Sequence, residues 1–424
     1  MKKQATDVKS VQRLKVRIIV GLLVVLAIIL LILGNYFYAR QYPGGTDFLV
    51  HWTGLRLFFQ QGVSPYSDQA ALAIQNAVYG HAAAPGQHEL RVAYPLYSVV
   101  IFGPFLLINN FDLARSIWMT FLELGVIATT YFSIRLFNWK PRRAIIIGLL
   151  IFSLLWYHAL RTVINGNVVM LIGLGLVGVL LALKNGFDEL AGAILAITTI
   201  KPQVVLVFII FIFFWAITHK RGKVILWFFI TLGILIALAS LLIPDWIVQN
   251  IREILRYTSY NPPGTLEAVF KSIWPSFGSR VGITLTVLVI AMLLVEWWLS
   301  RKGDTDRFIW TACLTLACSQ WTGIQSDAGN FVIMFPALVL IFVIITKRWK
   351  KRGEVIVWGI MILLMAGIWA IFLATLENAD QPVQSPVMFL LLPAILIILM
   401  YWVKWWVVRP PSVWYDEIAS QQQR

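Results

Sequence analysis

The sequence predicts an all-α polytopic membrane protein, and three observations predict it. Of 424 residues, 59% are hydrophobic and 13% charged, about half the charged share of an ordinary soluble chain. About twelve apolar runs follow one another along the chain. Lys and Arg, which give a net charge of +15, are bunched between particular runs. No water-soluble fold hides this much apolar side chain, so lipid must solvate most of it. The same composition excludes a disulfide-held secreted scaffold and a disordered tail protein. Cys313 and Cys318, the only cysteines, sit in an apolar run and read as buried small residues.

A spanning helix needs about 20 apolar residues. The first run is 18–38, preceded by Lys2, Lys3, Lys9, Arg13, Lys15 and Arg17. It is longer than a signal-peptide core and lacks a small-residue cleavage site, so it reads as a retained helix after a cytoplasmic basic segment, 1–15. Further runs are 112–134, 143–159, 168–184, 188–200, 203–218, 223–243, 281–299, 307–321, 329–346, 354–376 and 387–408. The stretch 93–109 holds Pro95, Gly103 and Pro104, which disfavour a straight helix. Taken as half-embedded on the outer side, it leaves 24 Lys and Arg in the cytoplasmic pieces against nine in the outer loops. Taken as a full span, it would invert every later loop and put Arg135–Arg143 outside. The first topology is therefore preferred. The charge then reflects sidedness, and nucleic acid is excluded as a partner. The chain divides into the segment 1–15, a transmembrane core 16–350, C-terminal helices 351–408 and a cytoplasmic tail 409–424.

The remaining polar residues concentrate in the outer segments 39–92, 244–280 and 320–328. Cytoplasmic loops are too short for a nucleotide-binding domain, and no P-loop motif is present. In 47–61, Phe48, Trp52, Leu55 and Phe59 recur at spacings of 4, 3 and 4, the stripe of an amphipathic helix suited to lying in the membrane interface. Gly62, Pro65 and Tyr66 end it, and a second short helix is expected over about 68–80. Asp47 opens the first of these helices. It reads either as an N-cap or as a general base held at the membrane surface; the two are compatible.

The stretch Gly45-Thr-Asp47-Phe-Leu-Val-His-Trp-Thr-Gly-Leu-Arg-Leu-Phe-Phe-Gln-Gln-Gly62-Val-Ser-Pro65-Tyr66 resembles the first outer loop of family 87 glycosyltransferases, which belong to the GT-C superfamily. Tyr94-Pro95-Leu96-Tyr97 is similar to the family's Tyr-Pro-Pro-Leu. Asn165-Gly-Asn167 resembles its Gly-Asn/Gln-x-Asn turn, and Lys201-Pro202-Gln203 its Lys-Pro motif between two short helices. The stretch 319–330, with Asp327, sits where the family has another polar loop. The resemblance covers about residues 16–350 in the same order. Two departures stand out: Leu96 replaces the second Pro, and the late loop has Asp327 and no His. The resemblance implies a GT-C type bundle of about 12 transmembrane helices. It implies transfer of a hexose, typically mannose, from a polyprenyl-phosphate sugar to a lipid or glycan acceptor, with the active site on the extracytoplasmic face of the plasma membrane.

Such chemistry needs a site open sideways to lipid, cations for the donor phosphate and one base for the acceptor hydroxyl. A phosphate leaving group needs no second carboxylate, unlike the paired acids of a glycosidase, so a lone outer Asp suits an inverting single displacement. Asp47 is the catalytic candidate. Lys201 interrupts an otherwise apolar stretch and is the first phosphate candidate, with a snorkelling Lys as the alternative. Arg161 is the second, with an interfacial anchor as the alternative. Candidates for sugar or acceptor contacts are His51, one turn after Asp47, Tyr66, Tyr94, Asn165, Asn167, Gln203 and Asp327. No outer DxD pair or His cluster exists, so neither metal nor cofactor is expected. Glu123, mid-helix in 112–134, reads as structural or as part of a transport path; Glu296 and Lys404 read as snorkelling. The rival reading is a secondary transporter or lipid flippase, but no internal repeat of the kind found there is visible. A lipid-linked polymer ligase or polymerase is weighed against by the early position of the large outer loop.

Overall fold

The computed structural model describes residues 2–261, 264–376 and 385–408; the expected tail 409–424 lies outside them. Among the described residues the regular structure is helical throughout. In chain order the helices are α1 (Lys2–Gln41), α2 (Thr46–Gln61), α3 (Asp68–Tyr79), α4 (Val99–Phe102), α5 (Phe111–Leu136), α6 (Arg143–Leu155), α7 (Tyr157–Asn165), α8 (Val169–Lys184), α9 (Asp188–Ile197), α10 (Pro202–Thr218), α11 (Gly222–Leu242), α12 (Trp246–Tyr260), α13 (Leu266–Ile273), α14 (Gly278–Ser300), α15 (Thr305–Ser319), α16 (Phe335–Ala374) and α17 (Val387–Val408).

Helices occupy every expected apolar run, and the two helices expected in 39–92 are α2 and α3. Length separates the runs into two kinds. Among the described residues six helical stretches are long and apolar enough to cross a membrane, or seven if α6 and α7, bent by 49°, form one span. The protein is thus a membrane protein by length and composition. The others fall short of the expected twelve crossings: α8 has 16 residues and α9 only 10. At 1.5 Å per residue, 16 residues reach about 24 Å, less than the roughly 30 Å of hydrocarbon. The reason is local. The Asn165-Gly166-Asn167 turn and the Lys201-Pro202 break stop helices that the apolar text alone would continue. The stretch 93–109 is no straight helix: short 3-10 turns, Leu96–Ser98 and Gly103–Leu107, flank α4. The runs 329–346 and 354–376 are parted by Lys350, whose φ of 47° breaks α16 in the middle.

Packing follows the same division. α15 and the first half of α16 are buried along nearly all their length, with Trp310, Leu314, Phe342 and Ile345 fully enclosed. Both cysteines lie in this core, free and buried. By contrast α1 leaves Leu22 and Leu30 largely exposed, as a lipid-facing helix must. Small residues let backbones close up where lipid provides no hydrophobic drive between helices. A Cβ on Gly192 of α9 would stand 2.3 Å from the Val224 carbonyl oxygen of α11. Glu123 of α5 accepts a hydrogen bond from Asn35 of α1 at 2.9 Å, and the same amide donates to Thr120 at 2.9 Å. The acid therefore has a structural partner. Glu296 and Lys404 do not snorkel: Glu296 is buried and paired with Lys404 at 2.5 Å, with Arg307 at 3.6 Å. A buried carboxylate is tolerated when paired in this way.

Candidate functional site

Asp47 is placed by its glycines. Gly44 and Gly45 have φ of 141° and 73°, a path open to glycine. The buried Arg115 fills the space beside them, donating to the carbonyls of Tyr42 at 2.8 Å and Ile164 at 3.3 Å. A Cβ on Gly45 would meet Arg115 Nε at 2.6 Å. The N-cap of α2 is Gly45, with no side-chain cap. The capping reading of Asp47 is thereby corrected: Asp47 lies inside the first turn, and Gly45 takes the cap position without a side-chain bond. Asn167 Nδ2 donates to Asp47 Oδ2 at 2.9 Å. The charge still sits near a helix N-terminus, where the macrodipole favours it.

Asn167 is in turn held by the α7–α8 junction. Gly166 adopts φ 74°, Trp118 Nε1 donates to its carbonyl at 2.8 Å, and a Cβ there would stand 2.6 Å from Phe48 Cβ. Phe48 of α2 stacks on Trp118 at 5.3 Å between centroids. Thus the first turn of α2 and the Asn-Gly-Asn turn are pressed together, 120 residues apart in sequence.

Lys201 sits between the 3-10 turn Thr198–Ile200 and α10, which begins at Pro202. Its ammonium is buried. It donates to Asn167 Oδ1 at 3.1 Å and Asn330 Oδ1 at 2.8 Å, and lies 5.8 Å from the centre of the Tyr94 ring. It does not snorkel. A continuous polar chain therefore runs from Asp47 through Asn167 and Lys201 to Asn330, whose Nδ2 donates to Ser326 Oγ at 3.1 Å.

The aromatic wall is equally fixed. Tyr66 OH donates to the Tyr94 carbonyl at 2.8 Å, Asn250 to the Ala93 carbonyl at 2.9 Å, and Tyr97 OH to the Thr199 carbonyl at 3.0 Å. Tyr66 is buried, so its hydroxyl supports Tyr94. His51 is buried, stacked on Tyr94 at 4.0 Å and on Phe102 at 5.0 Å. Arg161 donates to Tyr157 OH at 2.6 Å and lies over the Phe372 ring at 5.2 Å; its charge bears on Asp47. Asn165 and Gln203 are half-buried at the two helix breaks, and Asp327 is exposed, its carboxylate accepting from Gly329 N–H at 2.5 Å. The structure thus joins Asp47, Asn167 and Lys201 directly and packs Tyr94, His51 and Tyr66 beside them.

Sequence reasoning passed over Asn330 and His158. Asn330 is a buried amide at the start of an apolar run, and that interruption was its signal. His158 is buried with Nδ1 2.7 Å from the Ala328 carbonyl; nothing local in the sequence marks it. Among the described residues no three His, Cys, Asp or Glu gather as metal ligands.

Burial dominates the electrostatics. It raises the Asp47 carboxyl above its ordinary range, against the pull of Lys201, with Asp327 adding to the rise and Asn167 and Arg161 opposing it. It lowers the Lys201 ammonium, which Asp47 and Asp327 partly restore. Burial, then Lys201, brings His51 down to about 3, so the imidazole is neutral. The result is a carboxylic acid weakened and an ammonium made more acidic by burial, joined by one amide. That arrangement can take up a proton and hold an anion within the same small volume.

Compared with known families, the chain matches the model of glycosyltransferase family 87 over residues 93–320, more than half its length. The matched stretch contains Tyr94, Arg161, Asn165, Asn167, Lys201 and Gln203; Asp47 precedes it. No curated protein matches the chain.

Proposed function

The chain belongs to glycosyltransferase family 87, and on that premise we propose that this membrane glycosyltransferase moves a hexose, mannose in the first instance, from a polyprenyl-phosphate sugar to a lipid or glycan hydroxyl. The reaction is an inverting single displacement at the extracytoplasmic face of the plasma membrane. Asp47 takes the acceptor proton as the hydroxyl oxygen attacks the anomeric carbon. The bond to the donor phosphate breaks, and polyprenyl phosphate leaves. Lys201 and Arg161 offset the charge gathering on that phosphate. Asn167 holds Asp47 by one oxygen and leaves the other for the acceptor. Tyr94, with His51 stacked behind it, offers a ring face for sugar; Asn165, Gln203 and Asp327 rim the site with hydrogen-bonding groups. Tyr66 contributes by holding Tyr94.

The observation that carries this reading is the chain Asp47–Asn167–Lys201, closed by hydrogen bonds of 2.9 and 3.1 Å. It gathers one carboxylate and one buried ammonium from three distant segments. A transport path gains no comparable support, because Glu123 is engaged by Asn35. The test is sugar transfer by purified protein in detergent, with polyprenyl-phosphate mannose as donor. Asp47→Asn and Asp47→Ala should each lower transfer by about 10²-fold or more with unchanged folding, and the product should have the opposite anomeric configuration. Full activity of Asp47→Asn would remove Asp47 as the base.

A further inference from the structure

The helix α12 is amphipathic in two opposed stripes. Trp246, Asn250 and Glu253 face inward and are buried. Ile247, Val248, Ile251, Ile254 and Leu255 are exposed, Val248 by 60% and Leu255 by 71%. The exposed set falls at i, i+1, i+4, i+7 and i+8, a single apolar face. The inward face is fastened by polar contacts. Glu253 pairs with the buried Arg91, Asn250 donates to the Ala93 carbonyl, and Ser64 and Gln249 are 2.6 Å apart. Farther along the inward side, Tyr257 comes within electrostatic reach of Asp47 and Asp327.

An ordinary surface helix shows the reverse polarity, so something apolar must cover the outward face. Connectivity says what. α11 and α14 are both long and apolar enough to cross a membrane. Only Ile243, Pro244 and Asp245 separate the end of α11 from Trp246, a reach of about 14 Å when fully stretched. The α12–α13 segment returns at Phe277 to the start of α14. It is tied at both ends to places where spans end, which fixes its depth at the bilayer surface. Leu241 and Leu242 at the end of α11, and Ile273, Trp274 and Phe277 from the end of α13 to the start of α14, are exposed as well, with aromatic side chains of the kind a membrane interface favours. Exposed Arg252 lies beside Val248, one turn on, within reach of lipid phosphates.

We propose that α12 is an interfacial helix seated in bilayer lipid, with Ile247, Val248, Ile251 and Leu255 at the headgroup–acyl boundary and its inward face clamped to the segment that carries Tyr94. It forms a lipid-borne wall of the site and keeps Tyr257 on the Asp47 side. The proposal requires a membrane and is independent of which sugar or donor is used.

The test places a bimane label on single cysteines, Ile251→Cys and Leu255→Cys, in the full chain reconstituted in nanodiscs, with Ala84→Cys as the exposed loop control. Cys313 and Cys318 are buried and leave little background. Lipid brominated near the top of its acyl chains should quench the labels at 251 and 255 several-fold more than aqueous iodide does, and the label at 84 should show the reverse. Iodide quenching at 251 and 255 equal to or above that by bromolipid would overturn the proposal by placing the face in water. Insensitivity to both quenchers would overturn it too, since the cover would then be protein, such as a second copy of this chain.

Discussion

At the scale of single residues the Asn167 amide does two jobs that one carboxylate or one ammonium could not. Its Nδ2 donates to Asp47 and its Oδ1 accepts from Lys201, so each charge is held by a dipole pointing the right way and the two are kept apart. Burial raises the Asp47 carboxyl and lowers the Lys201 ammonium. A base with a raised pKa loses its ionised form sooner as pH falls; a cation with a lowered pKa loses its charge sooner as pH rises. The profile of kcat/KM against pH should therefore be narrow, with its acid limb above the ordinary carboxylate range and its alkaline limb below that of an ordinary Lys. Asn330→Asp sharpens the expectation. A carboxylate 2.8 Å from Lys201 Nζ favours the ammonium and should move the alkaline limb up by about one pH unit or more, while Asn330→Ala should move it down. An alkaline limb unmoved by either variant would mean that Lys201 does not set it. Asp47, Asn167 and Lys201 were legible in the sequence because each interrupts apolar text or opens a helix. Asn330 interrupts its apolar run in the same way, but its part in the site shows only once Lys201 is brought to it from 129 residues away. For the same reason Tyr66 was visible as an aromatic residue, but its work of holding the Tyr94 carbonyl was not.

At the scale of elements, the site exists because helices stop early. Apolar runs and the stripe in 47–61 located the long helices and α2, but not α12 or α13 in the outer segment 244–280; the short ones, α8 and α9, were also marked in sequence by Asn-Gly-Asn and Lys-Pro. What periodicity could not reveal is that such helices end inside the protein, where their termini present Asn167 and Lys201 to Asp47. Nor does it reveal that α12 turns its apolar face outward, since a stripe has the same spacing whichever way it points. The junction of α2 with the α7–α8 turn is a close contact of this kind. Gly166→Ala places a side chain at φ 74°, unfavourable by about 1–2 kcal/mol from the backbone alone, and drives a Cβ to 2.6 Å from Phe48. The easiest relief is to push α2 away, which lengthens the contact between Asn167 and Asp47. Transfer should fall by about tenfold or more while the detergent-solubilised protein stays folded, as judged by circular dichroism and gel filtration. Wild-type kcat in a folded Gly166→Ala protein would show that the Asp47–Asn167 contact is not needed.

For the whole molecule, the polar loops sort themselves into two groups through their own contacts. Lys184 donates to the Leu136 carbonyl at 2.5 Å, Arg221 pairs with Asp188, His219 lies 3.5 Å from the Gly303 carbonyl, and Arg142 pairs with Glu354 at 3.3 Å. These contacts link the loops 135–143, 184–188, 219–223, 300–307 and the break in α16 into one set. A second set joins 39–92 to 244–280 through Arg91 and Glu253, and 244–280 to 320–328 through the Ser326 N–H and the Gly264 carbonyl at 3.0 Å. The first set holds the loops richest in Lys and Arg; the second surrounds Asp47 and Lys201. The charge asymmetry of the sequence draws the same partition, and the proposed sidedness puts the basic set in the cytoplasm. Sidedness can then be measured with a thiol reagent that does not cross membranes, applied to intact cells. Ala84→Cys, exposed in the second set, should be labelled from outside, and Lys351→Cys, exposed in the first, only after the membrane is opened. The reverse pattern would put the carboxylate in the cytosol, where a sugar activated on a nucleotide is at hand and a lipid-borne donor is not required. The orientation of the charge-rich loops is therefore the point on which the proposed donor depends.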